Sequence, residues 1–158
     1  MRDGGIDPVT VEVIRGGLVY AAEEMGIALR NSAYSPNIKE RMDHSCAVFD
    51  GKGRMAVQAE HIPAHLGSMP ITVRETLRRF EDGLEPGDMV LLNDPYAGGT
   101  HLPDLTLMAP VFHDDRLIGF VVNKAHHSDI GGITPGSMAA ESTELYQEGL
   151  VIPPVKLV

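Results

Sequence analysis

Two alternating runs constrain this chain more than any other feature. Leu105, Leu107, Ala109 and Val111 recur at every second position, as do Ile118, Phe120 and Val122, with His113-Asp114-Asp115-Arg116 between the runs. Alternation of period two around a short polar turn predicts an antiparallel hairpin. In such a hairpin, the segment entering the first strand and the segment leaving the second lie at the same end. Here the first is Asn93-Asp94-Pro95-Tyr96-Ala97-Gly98-Gly99-Thr100-His101-Leu102-Pro103-Asp104, and the second is His126-His127-Ser128-Asp129-Ile130-Gly131-Gly132. The hairpin is therefore expected to bring His101, Asp104 and His126 together. Two imidazoles and one carboxylate on loops, with no cysteine nearby, suit a divalent metal with open positions.

His101-x-x-Asp104 by itself is a weak signal, and the spacing leaves two readings about equal. In one, the three residues hold a metal while Asp94 or Asp129 orients a histidine ligand. In the other, Asp94 caps a turn at Pro95 and the histidines bond loop backbone. Gly98, Gly99, Gly131 and Gly132 allow close backbone approach to a ligand. They match neither a P-loop nor a dinucleotide fingerprint, so nucleotide chemistry has to come from another polypeptide.

The remaining elements give an α+β fold with a long N-terminal helix, mostly antiparallel hairpins, and Gly/Pro-rich loops carrying the site. Asp7-Pro8 starts a helix reaching about Asn31, with Ile14, Leu18, Ala21, Met25 and Ala28 on its inward face. Tyr34 to Lys39 reads as a loop. Ser45–Phe49 and Met55–Gln58 form a hairpin around Asp50-Gly51-Lys52-Gly53. Cys46 reads as a small buried hydrophobe, not a nucleophile. Glu60-His61-Ile62-Pro63-Ala64-His65 is expected to be a loop, where histidines are more often structural than metal ligands. Ser68 is expected to cap a helix from Met69 to Glu81 with Val73, Leu77 and Phe80 inward. A strand covers Met89 to Leu92, and Ala139 to Gln147 is a short helix. Lys39-Glu40-Arg41-Met42-Asp43-His44 reads first as a charged surface turn. In a functional reading, Arg41 binds a substrate carboxylate or phosphate, and Glu40 or Asp43 serves as a metal or acid/base group.

At 158 residues the chain has the size of one domain, and its net charge of -9 argues against a nucleic-acid surface. A single cysteine fits a reducing compartment, and no apolar run approaches a membrane span, so a cytoplasmic protein is expected. The ending, Gly149-Leu150-Val151-Ile152-Pro153-Pro154-Val155-Lys156-Leu157-Val158, is apolar where a native terminus is more often polar and solvated, so a fragment is expected.

Four motifs taken together resemble the hydantoinase B/5-oxoprolinase family. They are Glu40-Arg41-Met42-Asp43-His44-Ser45-Cys46, His61-Ile62-Pro63-Ala64-His65-Leu66-Gly67-Ser68-Met69, Asn93-Asp94-Pro95 with Gly99-Thr100-His101-Leu102-Pro103-Asp104, and His126-His127-Ser128-Asp129-Ile130-Gly131-Gly132. Gln147-Glu148-Gly149-Leu150-Val151-Ile152-Pro153-Pro154-Val155-Lys156-Leu157 matches it too. The resemblance covers nearly the whole chain but only the N-terminal portion of family members.

The resemblance implies a component of an ATP-dependent enzyme that opens a small five-membered cyclic amide. A hydantoinase A-type partner subunit would bind the ATP, in a hetero-oligomer. It also implies a divalent metal on His101, Asp104 and His126, manganese in the related carboxylases, with zinc, magnesium or iron also suited. Glu40, Arg41, His127 and Asp129 are the expected catalytic or substrate-orienting residues. Two alternatives stay open: the metal-bearing subunit of an ATP-dependent ketone carboxylase, and a truncated, non-catalytic metal-binding or partner-docking module. A metal-dependent oxygenase has only its ligand count in its favour.

Overall fold

The expected hairpin is the spine of the structure. In this computed structural model, which describes residues 6–59, 62–81 and 83–158, β4 (Asp104–His113) pairs with β5 (Arg116–His126) from Asp104↔His126 to His113↔Arg116. Asp114 and Asp115 make the turn, both with positive φ, 46° and 59°. A two-residue loop with both residues left-handed matches the twist of the flanking strands, and Asp tolerates that conformation better than most residues.

The buried face of this hairpin differs from the one the alternation suggested. Asp104, Thr106 and Met108 are buried, whereas Leu105, Leu107, Ala109 and Val111 are half-buried. On β5, Phe120, Val122 and Lys124 are buried, while Ile118, in the same alternating run, is 53% exposed. A register shift between Val111 and Phe112 separates the hairpin's outer end from the rest. The core face thus becomes polar towards the end where the candidate site lies.

β1 (His44–Asp50) pairs with β5, and β2 (Met55–Gln58) pairs with β1. On the other side, β3 (Val90–Leu92) joins β4, and β6 (Val155–Lys156) joins β3. The result is a six-stranded antiparallel sheet in the order β2-β1-β5-β4-β3-β6. The apolar ending supplies that edge strand, which the sequence reading did not anticipate. Lys156 is tied back by an ion pair to Asp88 of 2.8 Å.

One face of the sheet is covered by α3, which spans Pro63–Arg79. Leu66, Met69 and Val73 from the helix pack with Ala47, Phe49, Val90, Met108, Phe120 and Val122. Leu77 and Phe80 pack against this core as expected. The helix begins six residues earlier than expected, at Pro63 instead of Met69. Proline at the first helical position loses no intrahelical bond, so Pro63 is a natural start. Ser68 lies inside the helix and donates back to the His65 carbonyl at 2.9 Å. Pro70 sits on its exposed side.

The long helix α1 spans Pro8–Ser32, close to the expected range, and Asp7 caps it by accepting from Thr10 N at 3.2 Å. Its inward face is rotated from the expected one. Ala22 and Gly26 are buried, Leu18 and Met25 are half-buried, and Ile14, Ala21 and Ala28 are exposed. The small residues let the helix approach β1 and β2 closely, so they, and not the larger apolar residues, define the contact. A short helix, α2 (Pro36–Lys39), replaces the expected loop, with Ile38 buried beneath it. Ala139 to Gln147 does not form the expected helix; only the 3-10 turn Leu145–Gln147 is present. The Gln147 side chain accepts from Thr143 N and Glu144 N, which satisfies the donors of that turn locally.

Candidate metal centre

β4 begins and β5 ends at the same point, which sets Asp104 and His126 opposite one another with both side chains on the α3 face. His126 Nδ1 lies 2.8 Å from Asp104 Oδ1. The His101 ring stacks on the His126 ring, with centroids 5.3 Å apart and planes at 24°. One ligand atom from each of His101, Asp104 and His126 lies within 4.8 Å of the others. Bonds of about 2.0–2.2 Å put opposite ligands of a single ion roughly 4–4.4 Å apart, so the set fits a divalent cation with little movement. The donors, imidazole and carboxylate without thiolate, are those of zinc, manganese or iron.

The loop that delivers His101 is held firmly. Asn93 is fully buried, and its Nδ2 donates to the carbonyls of Leu102 and Leu150, both at 2.8 Å. Its Oδ1 accepts from Ile152 N at 2.6 Å, so one amide joins this loop to the chain's last segment. Gly98 has φ +89°, and a Cβ there would lie 2.5 Å from Thr72 N. A Cβ on Gly99 would collide with the Asn93 carbonyl. Gly98 therefore serves the packing of the loop on α3, where Thr72 Oγ1 donates to the Gly98 carbonyl at 2.6 Å, and Gly99 serves the loop's own close fold over Asn93 and Asp94. Asp94 caps the turn at Pro95, accepting from Tyr96 N at 2.9 Å.

Asp104 is 5% exposed and receives several donors. Thr100 Oγ1 donates to its Oδ2 at 2.8 Å, and His65 Nε2 approaches the same oxygen at 3.5 Å. Burial alone would raise the Asp104 pKa, but the donors His65, His126 and Thr100 outweigh it and hold the carboxyl well below the usual carboxylate range. Asp104 is an anion throughout the neutral range, as a metal ligand must be.

The other expected residues lie in different surroundings. The His127 side chain lines an apolar cavity of about 320 Å³ with Leu29, Tyr34 and Ile38. Burial, and secondarily the neighbouring His126, push the His127 imidazole below its ordinary value. Asp129 organises its own loop, accepting from Gly131 N at 2.7 Å, Gly136 N at 2.9 Å and Ser137 Oγ at 2.9 Å. Glu40 and Arg41 are exposed at the end of α2, and among the described residues neither bonds to the cluster. Met42 follows in a left-handed conformation, φ 56°. The Asp43 carbonyl then accepts from His126 N at 3.0 Å, which brings the 40–43 segment to the edge of the site. Glu60 and His61 lie outside the described residues.

Sequence reasoning missed two buried groups beneath the cluster. His65, expected on a loop, lies on α3, is 4% exposed, and faces Asp104 and Asp43. Lys124 is fully buried, with Nζ 2.7 Å from Ser68 Oγ. Burial pushes its ammonium down to about 8, against the opposing pull of Asp104. Both were legible from spacing once the elements are placed correctly. His65, Met69, Thr72 and Thr76 recur at helical steps, and Lys124 alternates with Phe120, Val122 and His126. Cys46 is buried, and its burial pushes the thiol up to about 12, consistent with a structural hydrophobe.

A mixed helix and antiparallel-sheet domain with two histidines and an aspartate gathered at one end defines a candidate metalloprotein module. The chain belongs to the hydantoinase B/oxoprolinase family, whose model matches residues 7–158. It is 45% identical over 148 residues to the 5-oxoprolinase of Saccharomyces cerevisiae, a match covering 93% of this chain and 12% of that protein. The structure resembles the ATP-dependent caprolactamase of Pseudomonas jessenii, with TM-score 0.87 and 36% identity, across 98% of this chain and 27% of that one. It also shares its fold with an acetone carboxylase, with TM-score 0.89 and 22% identity, across 96% of this chain and 20% of that one. The chain therefore spans less than a third of the proteins it matches. Among the described residues, no helix is long and apolar enough to cross a membrane.

Proposed function

We propose that this chain is the metal-bearing front portion of an ATP-dependent enzyme that opens small cyclic amides. The observation that carries the reading is the convergence of His101, Asp104 and His126 within the reach of one cation. The 5-oxoprolinase and caprolactamase relatives support the substrate class, because both names describe enzymes acting on a ring amide. A divalent metal held there would polarise an amide carbonyl and acidify bound water.

The chain's own residues supply the rest. Asp104 is kept ionised by its donors, and the Asp104–His126 contact sets the orientation of that imidazole. Arg41, exposed where the chain turns toward Asp43, would bind the substrate's anionic or polar edge, with Glu40 beside it as an acid/base group. His127, whose imidazole burial holds below its ordinary value, would act from the cavity beside the cluster. Asp129 would act through the loop it holds next to the histidine pair. The sequence carries neither a P-loop nor a dinucleotide pattern, and in this reading ATP is bound by a hydantoinase A-type partner.

The test is turnover by the purified protein with an A-type partner, Mn2+ and ATP, on hydantoin, 5-oxoproline and caprolactam. Ring opening that requires ATP and disappears in His126→Ala is the expected result. Carboxylation of acetone from bicarbonate, with no ring opening, would overturn this reading in favour of a ketone carboxylase.

A further inference from the structure

The His65 imidazole sits between two carboxylates in a place where a core side chain would ordinarily be apolar. It projects from the first turn of α3 towards the sheet and is 4% exposed. Its Nε2 lies 3.5 Å from Asp104 Oδ2 and 3.8 Å from Asp43 Oδ1. Its Nδ1 lies 3.4 Å from Ser45 Oγ, which is itself anchored by accepting from Ile62 N at 3.1 Å. Ionised carboxylates can only accept, so the nitrogen facing them, Nε2, is the one that carries a proton, while Nδ1 faces the Ser45 hydroxyl, which also lies 3.4 Å from the Ile62 carbonyl. These neighbours set the orientation of the ring.

That arrangement adds a third donor to Asp104 and leaves one of its roughly four lone-pair sites for a cation. Its Oδ1 meets His126 at 2.8 Å, and its Oδ2 meets Thr100 at 2.8 Å and faces His65. Thr100 lies on the same loop as His101, whereas His65 comes from a separate helix packed into the core. His65 alone among these partners ties the carboxylate to α3. We propose that His65 is a positioning residue for the metal centre: it fixes the direction of the Asp104 carboxylate so that the three ligands are already arranged before a cation arrives. The inference rests on the metal reading above and adds to it a group outside the ligand set. Groups that orient metal ligands commonly alter affinity by about 10–100-fold when removed.

The experiment measures Mn2+ affinity by titration calorimetry, with thermal unfolding recorded in parallel. His65→Leu fills similar space without a donor and is expected to stay folded while its Mn2+ dissociation constant rises by about 10–100-fold. His65→Gln offers an amide N–H toward Asp104 and is expected to recover most of that loss. Ser45→Ala leaves His65 in place but releases its Nδ1, and should weaken Mn2+ binding by a smaller factor without the volume change. A folded His65→Leu protein with wild-type Mn2+ affinity would overturn the inference. If His65→Leu fails to fold, wild-type affinity in Ser45→Ala would overturn it instead. Wild-type protein that takes up no Mn2+ would remove the metal reading itself, an outcome distinct from either.

Discussion

His126 and Asp104 face each other across the β4–β5 ladder, with Nδ1 and Oδ1 2.8 Å apart at the point where both strands end. The pairing register alone makes them neighbours, and their burial on the α3 side gives the contact its strength. His127, the next residue, borders the apolar cavity beside α1 and α2. The two adjacent histidines thus occupy different environments, one beside the candidate ligands and one kept neutral by burial.

The His101 loop depends on Asn93. Asn93→Ala removes three hydrogen bonds in the 2.6–2.8 Å range, one to the Leu102 carbonyl within the loop and two that bind the loop to the 150–152 segment. It also leaves the buried Leu102 carbonyl and the part-buried Leu150 carbonyl and Ile152 N–H without this partner, and an unmet buried group costs about 1–3 kcal/mol. Denaturant unfolding should show a loss of several kcal/mol, or of the folded state altogether. A loss below about 0.5 kcal/mol would mean the amide is not the staple described here.

Gly99→Ala should disturb the site without touching a ligand. A Cβ there meets the Asn93 carbonyl, which is backbone and cannot swing aside. The expected result is weaker Mn2+ binding together with a lowered melting temperature, read by calorimetry and thermal unfolding. Wild-type values for both would show that the loop has room to relax.

Lys124 makes stability depend on pH in a defined window. Its pKa falls from 10.5 to about 8 on folding, so between these values the unfolded chain binds more protons than the folded one. Stability contributed by this group therefore rises as pH rises through the window, by up to about 1.4 kcal/mol per pH unit. Lys124→Met cannot titrate. The stability difference between wild type and this variant should shift in favour of wild type from pH 8 to pH 10.5. A difference that stays flat across the window would show that the ammonium is not penalised by burial. All other groups are common to both proteins, so their contributions cancel in the comparison.

Phe120→Ala tests the core under α3. Phe120 is 1% exposed, within the cluster that includes Met69, Val73 and Phe49. Truncating a buried aromatic costs about 3–5 kcal/mol, which should appear as a lower denaturant midpoint with little change in slope. Ile118→Ala, on the same strand but 53% exposed, should cost far less.

The hairpin and the meeting of His101, Asp104 and His126 were legible because alternation fixes pairing, and pairing fixes what lies at the strand ends. The start of α1 was equally legible, since Asp7 followed by Pro8 is a local chemical signal. The facing of α1 was not, because close packing there uses Ala22 and Gly26, which hydrophobic periodicity ignores. Nor was the inner face of β4, where Asp104 and Thr106 are buried although neither is apolar, so hydrophobic periodicity passes over them. The same cause hid Lys124. His65 was lost through a boundary error: Pro63 starts the helix, and Ser68 only resembles a cap. Edge strand β6 gave no alternation to read, since it is two residues long.

The central claim is that His101, Asp104 and His126 together hold one divalent cation. The most direct measurement is elemental analysis and Mn2+ titration of wild-type protein beside His101→Ala, Asp104→Asn and His126→Ala, each checked for folding. The account predicts about one tightly bound ion per wild-type chain and loss of most of that binding in every variant. Folded variants that retain the wild-type metal content, or a wild-type chain that binds none, would contradict it.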